Sequence, residues 1–440
     1  MKTTGINNYS IKVQNILQKN NKITLKVSNL DDYFIIQMEQ LLSYTLHYYK
    51  LDLWHSYFSL LIKGLLFFSI NNCHPEKCFI KLIRNNKAFI IQIQSEDFKD
   101  YINKRDFIEF INDLSDEDSL PPIFRDLFFL KKLFEFREIN TDNITYSVDK
   151  IELFIPEETL DEQSWSAMRD SIISSIDQFP PLKENIIKLD SMIHSGSFDM
   201  KSISEQVGTD AALTMDILKI VNSGAYMPGS RIDDINSALK YLGLRELYNL
   251  MISLSIKNTL SLFEDSMKAF WYHSYKCAYY SCRIARELKT SIGRHDSIYT
   301  SALLHDIGKF PISRIFGDDN EMLLSYCRKY KIRLSEIEDA LSGIRHNETG
   351  YLMAEKWHLP DSLKLIMKYH HNPADAPDQI RNLNDIIYMA DCLTEYDDNN
   401  FDLSTMDRAV LKRHKISSVE DFRERFKNLS ESFNEQNLWI

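Results

Sequence analysis

Glycine and proline are scarce, at 12 and 11 in 440 residues. So few breakers argue against long flexible linkers. Cysteine is scarce too. The six, at 73, 78, 277, 282, 327 and 392, are scattered, and no Cys-x-x-Cys pair occurs. A disulfide framework is therefore not expected, and reduced thiols are the plain reading. Cys73 and Cys78 lack the second pair that a structural zinc site would need. Basic charge is also in deficit: 52 Lys and Arg stand against 63 Asp and Glu, a formal net charge of -11. This excludes a non-specific nucleic-acid binder but leaves room for a small anion held by a few local cations. No long hydrophobic run is present. The longest, Tyr57 to Ile70, is interrupted by Lys63 and falls short of the ~20 residues that span a bilayer. It reads as a buried core helix, with no membrane span expected. Met1 to Asn7 carries no apolar stretch of the signal-peptide kind, so a cytoplasmic location is expected.

What remains is an ordinary globular composition, 44% hydrophobic and 26% charged, in a chain long enough for two or three domains. The expected fold class is α+β: an N-terminal mixed α/β domain followed by an all-α helical domain. Short strand-like runs occur at 23–27, 78–83 and 88–93, the last two joined by the turn-like Arg84-Asn85-Asn86-Lys87. Helices are expected at 36–70 and 94–114, and more strand at 145–154. Ile155-Pro156-Glu157-Glu158-Thr159 reads as a boundary. The expected division is thus 1–155 as a sensory or docking domain, 156–400 as the helical domain, and 401–440 as a helical tail. Beyond the boundary, apolar residues recur at three and four, as in Ile217, Ile220 and Val221 or Leu363, Ile366 and Met367. Breaks fall at Phe179-Pro180-Pro181, Met227-Pro228-Gly229, Phe310-Pro311 and His358-Leu359-Pro360, which suits a compact bundle of short helices.

Seven of the twelve histidines lie between 273 and 371. The sharpest motif is Leu303-Leu304-His305-Asp306-Ile307-Gly308-Lys309. An apolar helix there ends on adjacent nitrogen and carboxylate ligands, Gly308 lets the chain turn, and Lys309 is one helical turn from His305 with a charge suited to a phosphate oxygen. His273 starts an amphipathic helix, His346 another, and His370-His371 ends one. Asp391 stands inside an apolar helix, where an unpaired carboxylate would cost several kcal/mol. A lone histidine near a helix end is usually a cap or a surface residue, and a buried aspartate is often met by an arginine. The ordered combination of His, His-Asp, His, His-His and Asp favours metal binding, and imidazole with carboxylate suits Mn, Fe, Zn, Co or Ni better than Mg alone.

The series His273, His305-Asp306 and Asp391 resembles the H…HD…D signature of HD-superfamily metal-dependent phosphohydrolases. Phe179-Pro180-Pro181-Leu182, Asp210 to Thr214, Leu218 to Ser223 and Ile235 to Leu244 are similar to the HDOD (HD-related output) domain of bacterial signalling proteins. The resemblance covers about 165 to 395. It implies an all-helical domain and, through the related HD-GYP enzymes, a metal-ligand set of His273, His305, Asp306, His346, His370, His371 and Asp391, with Lys309 beside the substrate phosphate. The chain departs from HD-GYP enzymes where Asn372-Pro373-Ala374-Asp375 replaces the Gly-Tyr-Pro loop. Ala269, one turn before His273, also brings no extra carboxylate for a third metal.

By that resemblance the expected function is a cyclic di-GMP phosphodiesterase with two divalent transition-metal ions. His273, His305, Asp306 and Asp391 would hold one ion; Asp306, His346, His370 and His371 would hold the other, with Asp306 shared. Asp306 and Lys309 are the expected catalytic residues, and Lys309 the substrate contact. The rival is a non-catalytic HDOD adaptor working through protein contacts, and a third reading is a dNTPase-like nucleotide phosphohydrolase. The partners considered are a cyclic dinucleotide or other small phosphodiester, a signalling protein, and a second copy of the chain. The Asn222-Ser223-Gly224-Ala225-Tyr226 loop is read as a helix cap followed by a turn rather than a ligand contact.

Overall fold

A computed structural model of the protein describes residues 22–26, 32–72, 78–85, 87–95, 144–147, 150–156, 160, 162–182, 204, 207–208, 210–260, 268–290, 297–317, 323–324, 327, 333–398 and 401–436. Of the helix expected at 94–114, residues 94–95 are instead the end of a strand, and the rest lies outside these residues. The chain divides into two compact units. The first comprises Met1–Asp170 with Leu334–Ile344, and the second Ser171–Arg333 with Arg345–Ile440.

The first unit is an antiparallel sheet with helices. Its strands are β1 (Lys22–Lys26), β2 (Cys78–Arg84), β3 (Ala88–Ser95), β4 (Ile144–Ser147) and β5 (Lys150–Pro156), in spatial order β1-β2-β3-β5-β4. The β2–β3 hairpin turns where the sequence places it. Asn85 accepts hydrogen bonds from the backbone N–H groups of Lys87 and Ala88 through its side-chain oxygen, at 2.8 Å each, the local bonding that suits Asn to turns. Period-two burial sets the inner face: Ile80 and Leu82, Phe89, Ile91 and Ile93, then Leu153 and Ile155 are buried. Helices α1 (Asp32–Tyr49) and α2 (His55–Asn72) join this face. The Phe58 ring stacks on Phe89 with centroids 4.7 Å apart. The apolar run expected to be a core helix is α2, and no helix among the described residues is long and apolar enough to cross a membrane. A late segment, α10 (Leu334–Ser342), belongs to this unit. It buries Ile337, Ala340 and Leu341, and Lys63 on α2 donates to Glu336 at 3.1 Å.

The second unit is helical. Helix α3 (Glu162–Ile176) leads the chain into it, followed by α4 (Ala211–Val221), α5 (Ile235–Leu242) and α6 (Leu244–Leu260). Asp210 and Asp234 cap α4 and α5 by accepting from the N–H of Leu213 and Ser237, each worth about 1 kcal/mol. Asn222 caps the end of α4. Its amide donates to Leu218 and Ile232 carbonyls and its oxygen accepts from the Ile232 N–H, so this loop is a structural tie, as its residue types imply. Next come α7 (Lys268–Glu287), α8 (Ile298–Leu304), α9 (Lys309–Phe316), α11 (His346–Lys356), α12 (Asp361–Tyr369) and α13 (Asp378–Asp397).

Helices α7 and α13 form the centre. Tyr280 donates to Asp397 at 2.5 Å, and Lys276 pairs with Asp398 at 2.7 Å. Ala302, Leu303 and Leu304 of α8 and Ile386, Ile387 and Met389 of α13 are fully buried, at about 1.5–3 kcal/mol for each large side chain. The last helices, α14 (Arg408–Arg413), α15 (Val419–Phe426) and α16 (Leu429–Asn434), place Val410, Phe422 and Phe433 in the same core.

Candidate metal centre

Six helices deliver the predicted residues to one place. The end of α8 presents His305 and Asp306, and Lys309 opens α9. His273 projects from the second turn of α7, His346 opens α11, His370 and His371 follow α12, and Asp391 lies within α13. Local bonds aim the rings. Nδ1 of His305 lies 2.6 Å from the Ala302 carbonyl, and Nδ1 of His370 lies 2.8 Å from the Met367 carbonyl. With Nδ1–H donating to a carbonyl, Nε2 is the nitrogen turned inward, the arrangement metal-bound histidines use.

Gly308 has a different role from the one its sequence context suggested. Its φ of −66° is ordinary right-handed backbone, so the turn does not require glycine. Close approach does. A Cβ there would lie 1.9 Å from the His346 carbonyl oxygen and 2.3 Å from the Gly350 nitrogen. Thr349 seals the contact by donating to the Gly308 carbonyl at 2.9 Å. The glycine thus lets the start of α11, and His346 with it, sit against the His-Asp turn.

The donor atoms form two groups of four: His273, His305, Asp306 and Asp391; and Asp306, His346, His370 and His371. Within each, they lie within 4.8 Å of one another. Asp306 splits its carboxylate between them. Oδ2 is 3.4 Å from His273 Nε2 and 3.3 Å from His305 Nε2. Oδ1 is 3.2 Å from His346 Nε2 and 3.5 Å from His370 Nε2. Asp391 Oδ1 closes the first group at 3.3 Å from His273 and 3.5 Å from His305, and His371 Nε2 closes the second at 2.8 Å from His346 Nε2.

These spacings suit a metal. Two atoms each ~2.1 Å from a tetrahedral ion are ~3.4 Å apart. In the first group hydrogen bonding does not account for them, whereas in the second His346 Nε2 is also within hydrogen-bond distance of His370 and His371. Nε2 of His273, Nε2 of His305 and Oδ1 of Asp306 are buried without a hydrogen-bond partner in the protein, an arrangement that calls for an ion. The residues fit the divalent ions expected of them.

The two groups differ electrostatically. Burial pulls the His273 and His305 imidazoles down, but Asp306 and Asp391 outweigh it and hold them up, at about 10 and about 9. Both carboxylates are also raised by burial, yet the surrounding imidazoles, and for Asp306 the Lys309 ammonium, hold them well below the usual range. In the second group burial dominates. It lowers His370, and with its neighbours His370 and His346 it drives His371 well below 6.5. Lys309 Nζ sits 2.5 Å from Asp306 Oδ2 and keeps its proton against burial because Asp306, Glu395 and Asp391 surround it.

The sequence reading missed Glu395, whose Oε1 is 3.6 Å from His273 Nδ1. Its signal was available, since it lies one turn beyond Asp391 on the same helix face. It also missed Asp385, a fully buried carboxylate that accepts from Arg413 at 2.6 and 2.7 Å and contacts His414 at 3.1 Å. The sequence around Arg413 and His414 carries no motif that announces this pairing.

Comparison with known proteins agrees with this architecture. Residues 179–373 match the model of the HDOD domain. That segment of the chain is an HDOD domain. A crystallised HDOD domain protein of unknown function from Geobacter sulfurreducens aligns with a TM-score of 0.50 and 19% identity, covering 64% of this chain and 99% of that one. This is a likeness of fold. An uncharacterised protein of Treponema pallidum is 26% identical over 263 residues, which are 60% of this chain and 51% of the relative. The aligned stretch thus spans about half the length of that relative. The HDOD match holds His273, His305, Asp306, Lys309, His346, His370 and His371, while Asp391 lies beyond its end.

Proposed function

We propose that the helical unit is a metal-dependent phosphodiesterase in a bacterial, cytoplasmic signalling protein, with cyclic di-GMP as its substrate. The observation that carries the reading is the divided carboxylate of Asp306, with one oxygen in each histidine group. A ligand shared in this way suits a pair of ions. Two bound divalent ions supply Lewis acidity to phosphoryl oxygens and make water acidic enough to serve as a nucleophile near neutral pH.

The chain's own residues do the rest. His305 and His370, anchored through Nδ1, keep Nε2 aimed at the site without reorganisation. Lys309, with its side chain 22% exposed, keeps its proton and offers N–H donors to a phosphate oxygen. The buried walls, with His305 and His370 fully enclosed, limit bulk water and strengthen these charges.

The first unit is proposed as the sensory or docking element. In its support, the chain returns to that unit at Leu334–Ile344 immediately before delivering His346, so a change in α10 is covalently close to a ligand.

A second reading, the non-catalytic HDOD adaptor, is favoured by one observation. The segment after His371 is Asn372-Pro373-Ala374-Asp375 rather than the Gly-Tyr-Pro loop of the cyclic di-GMP enzymes. The test is to purify the full chain with Mn²⁺ or Fe²⁺ under low oxygen and follow cyclic di-GMP by chromatography, beside Asp306→Ala. Conversion to the linear dinucleotide or GMP, absent in the variant, supports the enzyme. Bound metal without turnover would transfer the assignment to the adaptor.

A further inference from the structure

His305 and His370 each spend Nδ1 on a backbone carbonyl. His273 does not. Among the described residues, no backbone carbonyl accepts from its ring. Its Nε2 turns toward Asp306 and Asp391, and its Nδ1, on the other side of the ring, faces the carboxylate of Glu395 at 3.6 Å. That is an ion-pair distance, and a side-chain adjustment of under about 1 Å makes it a hydrogen bond. The surroundings favour the contact. The His273 side chain is 12% exposed and Glu395 27%, so water screens them weakly, and the nearby Lys309 charge makes an anion at this position acceptable.

We propose that Glu395 is the positioning residue of the first metal-ligand group, its carboxylate accepting from Nδ1–H of His273 and so fixing the tautomer and ring orientation that aim Nε2 at the ion. The inference rests on the metal-binding reading above. A carboxylate does more here than a carbonyl. It orients the ring equally well and, being anionic, makes the imidazole a stronger donor to a cation. Loss of such a carboxylate partner typically weakens metal binding about 10–100-fold. Glu395 and Asp391 are four residues apart on α13, so one helix supplies both a direct ligand and the group that orients its neighbour.

The test is calorimetric titration of the full chain with Mn²⁺ under low oxygen, for the wild type, Glu395→Ala and Glu395→Gln. Wild type shows two binding events. In Glu395→Ala one event weakens about 10–100-fold while the other stays within about threefold. Glu395→Gln recovers part of the loss, because its amide oxygen still accepts from Nδ1–H. Denaturant unfolding of the metal-free proteins accompanies the titrations. Unchanged binding in Glu395→Ala overturns the inference. So does equal weakening of both events together with lost stability of the metal-free protein, which would mark Glu395 as structural. Absence of metal from the wild type would instead overturn the metal-binding reading beneath it.

Discussion

Replacing Gly308 with alanine should separate the two ligand groups functionally. The added Cβ would stand 1.9 Å from the His346 carbonyl oxygen and 2.3 Å from the Gly350 nitrogen. Both are backbone atoms, so no side-chain rotation relieves the clash. Reaching 3.0 Å, about the closest approach folded proteins tolerate, requires the two backbones to part by about 1 Å. Overpacking of this kind costs about 1–3 kcal/mol. The larger consequence is chemical. His346 opens the displaced helix, and metal–ligand distances hold within about 0.2 Å. The second group should therefore lose at least about tenfold in affinity, and turnover about 100-fold, as expected for a 1 Å misplacement. The first group draws no ligand from α11 and should keep its affinity. Two-site calorimetry reads this difference directly. Gly229→Ala is the control, since nothing lies within 4 Å of a Cβ at that position. A Gly308→Ala protein that binds both ions like the wild type would refute the close-approach argument.

Four other outcomes follow from the charges and packing. His273 and His305, held at about 10 and about 9, carry protons at neutral pH, so affinity of the first group should rise as pH climbs toward 9–10, while the second, with His370 and His371 lowered, should vary less. Calorimetry in buffers of different ionisation enthalpy should record proton release with the first ion; no release would contradict the assignment. In the metal-free protein, these raised imidazoles contribute stability fully below pH 6.5 and lose it as pH passes 9–10, whereas Asp306 and Asp391, held low, contribute above 3.8 and lose it in acid; denaturant unfolding across pH should trace both limbs. Lys309→Met should retain both metal events and lower turnover at least about tenfold by removing one charge-stabilising donor, read from steady-state hydrolysis of cyclic di-GMP. Asp385→Asn should destabilise the helical unit by about 1.5–3 kcal/mol, because it weakens charged hydrogen bonds to Arg413 and His414; denaturant titration measures it, and an unchanged midpoint would count against the pairing.

The helical half was legible because its signals are local. Apolar spacing and the proline breaks each act within a few residues. The site was legible for a related reason: the seven ligand candidates come in short motifs whose order survives folding. Gly308 was recognised but given the wrong cause, since the clash that excludes a side chain comes from His346 and Gly350, which no local pattern brings near. Glu395 carried a weak signal, one turn from Asp391, but its purpose appears only once His273 is placed opposite. The strands at 78–83 and 88–93 were readable from alternation and the Asn85 turn. Their partner β5, more than fifty residues onward, and the membership of α10 in the first unit depend on tertiary pairing that the sequence pattern does not encode.

The most direct test of the central claim is metal stoichiometry in the full chain, measured by elemental analysis and Mn²⁺ titration beside Asp306→Ala. The divided carboxylate of Asp306 predicts two ions per wild-type chain and the weakening of both in the variant. A wild-type protein that holds no ion, or an Asp306→Ala protein that holds two as tightly, would contradict it.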